Sequence, residues 1–283
     1  MTERLADVSA RIEGIRQLGA VVNAMKGIAA ARARAARGQI GAVDSYAATI
    51  AAAMSSLLGP SGALSRPGGG DGESGKKGLL VFCAEQGFAG AFSERVLDRL
   101  GEDSAMSSLF LIGARGLSIA ASRGLEPVWS APMPSHTPGI PKLADRIVKA
   151  IYGAVDAGRF DRLDVIHAGW TSGRPQVVRK GLLPIDLSDL PPPPAVPPLT
   201  QLPGDALIAS LGGDYVHALV CKAALHAFAA ENEARMEAMS SAGSQIAREL
   251  EVFEATLRRV RQEAITAEII ELGTGAATAR GTG

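Results

Sequence analysis

Apolar side chains recur at three- and four-residue intervals at both ends of this chain, and at other intervals between them. Near the N-terminus the rhythm runs through Leu5, Val8, Ile12, Ile15, Leu18, Val22 and Met25. Near the C-terminus it runs through Met236, Met239, Ile246, Leu250, Phe253, Leu257 and Val260, with Gly243 on the turn that lacks a side chain. A repeat of about 3.5 residues lays a seam along one side of a helix, and such a seam needs a partner helix. The two ends are therefore expected to be each other's partner.

The N-terminal pattern predicts one helix from Thr2 to about Leu58, roughly 80 Å long. Gly14, Gly19, Gly27, Gly38 and Gly41 each weaken it by about 1 kcal/mol relative to alanine, yet small residues also let another helix approach closely. Gly59-Pro60 ends it, and residues 59–77 read as a flexible linker rich in glycine, serine and charge. Residues 78–190 change period. Buried-type strands are expected at Gly78–Cys83, Ser108–Gly113 and Leu163–Trp170, with a weak one at Pro127–Ala131. Helices are expected at about Ala91–Leu100, Ala114–Ser122 and Lys142–Ala157, the last with Leu143, Ile147, Ile151 and Val155 on one face. A turn at Thr171–Arg174 would lead into a final strand, Gln176–Ile185, antiparallel to its predecessor.

Prolines from Pro191 onward make residues 191–203 a stiff connector. The helical pattern then returns from Gly204 to about Leu272, roughly 100 Å of helix, with residues 273–283 as a frayed tail. The fold class expected is α/β plus coiled coil. Long antiparallel N- and C-terminal helices (1–58 and 204–272) would form a left-handed coiled coil, with a central Rossmann-like, mainly parallel α/β domain at 78–190.

Composition fits this picture. Of 283 residues, 47% are hydrophobic but only 4% aromatic, and alanine fills the difference, which suits long helices better than a thick core. The formal net charge is zero, which argues against general nucleic-acid binding. Two distant cysteines, Cys83 and Cys221, read as small buried apolar residues in a reducing compartment. The charged start of the chain does not read as a signal peptide, and no stretch reads as a membrane span.

The sequence carries few chemical motifs. His136, His167, His217 and His226 are scattered, and no CxxC, phosphate-loop or nucleophile-elbow pattern occurs. Gly87-Phe88-Ala89-Gly90 follows the first expected strand, where a phosphate loop would lie, but reads as a plain turn. No metal, cofactor or catalytic residue is assigned. Charge is more informative. Between Gly14 and Val43 the helix carries Arg16, Lys26, Arg32, Arg34 and Arg37 and no acidic residue, and Arg258, Arg259 and Arg261 cluster near the other end. These are candidates for contact with an acidic protein surface.

Three segments then carry a resemblance. Arg11–Arg37 (RIEGIRQLGAVVNAMKGIAAARARAAR), LLVFCAEQGFAG ending at Gly90, and Glu231–Leu272, with ENEARMEAMSSA and RVRQEAITAEIIEL, are similar in order and spacing to the gamma subunit of the F-type rotary ATP synthase. The sequence departs from that family at Glu85-Gln86 and Ala89, at Gly243-Ser244-Gln245, and at Thr200-Gln201-Leu202-Pro203, which marks a divergent bacterial member. The resemblance implies a non-catalytic central rotor shaft coupling ion flow through the c-ring to ATP synthesis or hydrolysis on the beta subunits. It implies three alpha and three beta subunits, an epsilon subunit and the c-ring as partners, with peripheral placement on the cytoplasmic face of the inner membrane. Met25, Lys26, Arg261, Gln262, Thr266 and Glu268 match family positions that contact the alpha/beta stator. Arg32, Arg258 and Arg259 are weaker candidates from charge. The competing reading is a free-standing α/β nucleotide-binding or scaffold protein with helical association arms.

Overall fold

The computed structural model describes residues 2–62, 75–105, 107–171, 174–194 and 198–280. The chain divides into two compact units, one made of Met1–Ile28 with Met236–Gly283 and the other of Ala29–Arg235. The division falls inside the two long helices, not at their ends as the expected boundaries at 58 and 204 had it.

Both helices form. The first, α1, spans Thr2–Gly62 and is interrupted at Gly59, whose φ of 62° breaks the helical run. The last, α5, spans Gly204–Arg280. Its backbone stays helical beyond Leu272, through the stretch expected to fray, because Ala276, Ala277 and Ala279 favour helix where the glycines do not.

In the first unit the N-terminal part of α1 and the C-terminal part of α5 pack side by side. Arg16 meets Glu254, a Cβ placed on Gly19 would meet Ile246, one placed on Gly243 would meet Val22, and Lys26 meets Ser240. Numbers rise on one helix as they fall on the other, so the segments are antiparallel. Ile12, Val22, Met239 and Val260 are buried on the shared face. The α5 seam lies where the spacing puts it. The α1 seam needs one correction: Leu18 is 53% exposed, and the position facing the partner is Gly19. A strict three-four alternation from Ile12 passes through Ile15, Gly19, Val22 and Lys26. Leu18, the nearest large apolar residue, lies one position off that seam.

The second unit is built on a five-stranded sheet in the order β3-β2-β1-β4-β5. Here β1 is Lys77–Phe82, β2 Ser108–Ile112, β3 Trp129–Ala131, β4 Arg162–Thr171 and β5 Arg174–Leu183. The first four strands run parallel and β5 pairs antiparallel with β4. The helices between are α2 (Phe92–Leu97, continued by a 3-10 segment), α3 (Ala114–Ser122) and α4 (Ile140–Asp156). Each element falls where periodicity puts it, within a few residues. The linker expected at 59–77 lies mostly outside the described residues, as do the tip of the β4–β5 turn and part of the proline connector.

Leu79 to Phe82 are all buried because β1 is central and covered on both faces. Leu80, Phe82, Phe110 and Ile112 pack with Ile147 and Ile151 of α4 and with Val216 and Val220 of α5. Leu79, Val81, Leu109 and Leu111 pack with Phe92 and Val96 of α2 on the other face. Within this unit α1 keeps its alternation through Ala29, Ala33, Ala36, Ile40, Val43, Ala47, Ile50 and Met54, all buried or half-buried. Alanine at these positions lets the helices lie close.

Candidate functional site

Met25 and Lys26 are half-buried on α1, and the Lys26 Nζ donates to Ser240 Oγ at 3.2 Å. Arg261, Gln262, Thr266 and Glu268 are all exposed on α5. The Thr266 hydroxyl donates to the Gln262 backbone carbonyl one turn back. Arg258 and Arg259 are exposed too, and Arg259 lies 3.8 Å from Glu263. Arg32 is half-buried and belongs to the second unit. Around the four exposed residues of the α5 motif stand Ile265, Ile269 and Ile270, each more than half exposed. Leu18, Val21 and Ile28 stand equally exposed on α1.

The basic run of α1 does not all face outward. Arg16 pairs with Glu254 at 2.8 Å, Arg37 with Glu233 at 2.6 Å, and Lys26 reaches Ser240. The sequence places the acidic partners for Arg16 and Arg37 more than 190 residues away, so inspection of α1 alone overstates its free positive charge.

The second unit holds a polar cluster that spacing alone did not single out. Glu231, Asn232, Glu233 and Arg235 are all buried in α5. The Glu231 carboxylate accepts from the backbone N–H of Glu85 at 3.1 Å and of Gln86 at 3.3 Å, and pairs with Arg235 one turn on. Arg235 donates to the carbonyls of Gly87 and Gln86 and to Asn232 Oδ1. Glu85 in turn accepts from Ala114 N, at the start of α3, and from Met133 N just past β3. One buried ion pair thus fixes the turn after β1, and the turn fixes the ends of α3 and β3. The signal was present in the sequence: an acid and an arginine four residues apart inside an alanine-rich run.

This clamp decides what the turn can bind. In an α/β phosphate site the N–H groups after the first strand point at the phosphate. Here those of Glu85 and Gln86 are already taken by a carboxylate. The turn presents Phe88 instead, at a φ of 61° and 69% exposed.

The histidines are less scattered in space than in sequence. His167 of β4 and His226 of α5 stack with centroids 5.6 Å apart. Burial, helped by the charge of Lys222, pushes the His167 imidazole down to about 4, against hydrogen bonding to the Ala168 carbonyl; burial lowers His226 as well. Both rings are neutral at pH 7. His217 reaches Asp145 at 3.1 Å and lies 3.9 Å from the Cys221 sulfur. Burial pushes the Cys83 thiol up to about 12 and Cys221 up to about 11, so both free thiols are poor nucleophiles. Among the described residues no group of three or more His, Cys, Asp or Glu side chains is arranged to hold a metal ion, and no helix is long and apolar enough to cross a membrane.

The sequence profile described as ATP synthase matches residues 4–278. The chain is 28% identical to the ATP synthase gamma chain of Frankia casuarinae over the full length of both. It is 28% identical to that of Moorella thermoacetica, covering 96% of this chain and 98% of the relative. In fold it is similar to a chain of the rotor of the Euglena gracilis mitochondrial ATP synthase, with a TM-score of 0.67 at 13% identity, over 94% of this chain and all of that one.

Proposed function

Because this chain belongs to the ATP synthase family as a gamma chain, we propose that it is the central shaft of a rotary ATP synthase and couples ion flow through a c-ring to ATP synthesis or hydrolysis on beta subunits. The observation that carries the reading is the antiparallel pairing of the two chain ends in one unit, with large apolar side chains left exposed on both helices. Side chains such as Val21, Ile28, Ile265 and Ile269 on the outside of a helix pair mark a surface that works against other proteins. A heptad seam favours a left-handed supercoil.

On this reading three alpha and three beta subunits surround the helix pair, and Met25, Lys26, Arg261, Gln262, Thr266 and Glu268 bear on the beta subunits. Arg32, Arg258 and Arg259 make weaker contacts. The sheet-containing unit meets the epsilon subunit and the c-ring at the cytoplasmic face of the bacterial inner membrane. Bond making and breaking belong to the beta subunits. An asymmetric shaft touches each of them differently, and only a difference in contact can shift otherwise equivalent sites to different affinities. Moving a site from 1:99 to 99:1 between two states takes about 5.5 kcal/mol of differential contact, a sum that several helix-face contacts can supply.

Co-expression with the alpha and beta subunits tests the proposal. The expected result is a stable complex whose ATP hydrolysis drives rotation of a probe fixed to this chain. A chain that purifies alone and binds ATP tightly, without joining such a complex, would overturn it. The occupied backbone groups at the β1 turn already weigh against that outcome.

A further inference from the structure

A groove of about 530 Å³ runs between α4 and the free-edge strand β3. Its floor is apolar, with Phe110 beneath, and Trp129 forms one wall. Arg146, Lys149 and Arg159 line it, and none of its lining residues is acidic. Among the described residues these three cations have no carboxylate partner, although the chain as a whole is electrically balanced. The Arg146 guanidinium lies over the Trp129 ring at 5.9 Å, which holds it in place while leaving its N–H donors open. Three unpaired cations around an apolar floor are poorly explained as packing.

We propose that this groove binds an acidic, extended segment of a partner chain. Two features favour a peptide over a compact phosphate ligand. Arg146 and Lys149 lie one turn apart on α4, while Arg159 lies past the helix end, which is about 15 Å along the axis from Arg146 and further than a single phosphate group reaches. The groove also includes the C-terminal end of α4, where helix carbonyls carry partial negative charge and repel a concentrated dianion. Carboxylates set apart along an extended chain can meet the cations one at a time. The outer edge of β3 offers unpaired backbone groups to the same chain, so strand addition and charge pairing can act together. This inference does not rest on the shaft reading, since it concerns the sheet-containing unit alone.

The test titrates the full chain at low salt with a blocked octapeptide of alternating glutamate and threonine, followed by calorimetry and tryptophan fluorescence. The same peptide with glutamine for glutamate is the control. The glutamate peptide is expected to bind and the glutamine peptide not. Affinity should fall at least tenfold in R146E/K149E and stay within twofold in R95E/R99E, which makes the same charge change elsewhere on this unit. A Cβ at Gly153, on the α4 wall, meets open space, so Gly153→Leu fills the groove without straining the helix and should also abolish binding. Failure of the glutamate peptide to bind, equal affinity in R146E/K149E or in Gly153→Leu, or tripolyphosphate competing more tightly than the peptide would each overturn the proposal.

Discussion

Glu233 is shielded from water with a single cation beside it. Its carboxylate is 2% exposed and lies 2.6 Å from the Arg37 guanidinium, which is itself half in solvent. Burial raises the Glu233 pKa and Arg37 works against that rise. Arg37→Ala should therefore destabilise the protein by about 2 kcal/mol, below the 3–5 of a fully buried pair because Arg37 is partly hydrated. Adding Glu233→Leu should restore most of the loss; a double variant as unstable as the single one in urea unfolding would contradict this. His167 gives a second prediction. Its folded pKa, about 4, lies below the ordinary 6.5, so the unfolded chain binds a proton that the folded chain refuses. The stability from the neutral ring is complete above pH 6.5 and is lost as pH falls towards 4, a change on the order of 3 kcal/mol. Glu233 acts in the opposite direction: a raised carboxylate pKa makes stability fall as pH rises through its titration. Replacing His167 with phenylalanine should flatten the acid limb between pH 6.5 and 4 in urea unfolding. An unchanged limb would show that another group governs it.

At the level of elements, much was legible because each element is periodic over several turns or buried on both faces. The helices α3 and α4 and strands β1, β2 and β4 follow directly from runs such as Leu79–Phe82 and the spacing of Leu143, Ile147 and Ile151. The α1 seam passes through Gly19, where Ile246 packs, and not through Leu18; a glycine carries no hydrophobic signal that would mark the position. The i, i+4 spacing of Glu231 and Arg235 was legible, but the hold of that pair on the β1 turn was not. Its partners are backbone N–H and C=O groups, which every residue has and no sequence pattern marks. Gly116 hides a similar constraint, since a Cβ there would sit 2.0 Å from that of Cys83. The seam itself can be tested by phase. Inserting one alanine after Leu250 turns Phe253, Leu257 and Val260 by about 100° away from α1, whereas inserting seven returns them to within about 20°. Amide exchange over residues 5–15 should speed up in the first variant and change little in the second. Equal protection in both would mean that the pairing does not depend on the seam.

For the whole molecule, the question is how a chain whose described residues form two helix-rich units can act on chemistry carried out by other subunits. The answer must lie in side chains that do nothing for its own fold. Arg261 and Gln262 meet that description: both are exposed, and their side chains have no hydrogen-bond or ion-pair partner among the described residues. Their removal should leave melting behaviour unchanged, which separates them from seam residues such as Val260. In the reconstituted complex, replacing both with alanine should lower coupled ATP turnover by roughly five- to thirtyfold, the factor that 1–2 kcal/mol of lost contact corresponds to. Assembly with alpha and beta subunits should persist, because the neighbouring apolar residues Ile265 and Ile269 still supply area. The effect should appear as slippage, with ATP hydrolysed at a lower ratio of ion transport to turnover. A variant that keeps full turnover, full torque and full coupling would remove these two residues from the proposed working surface.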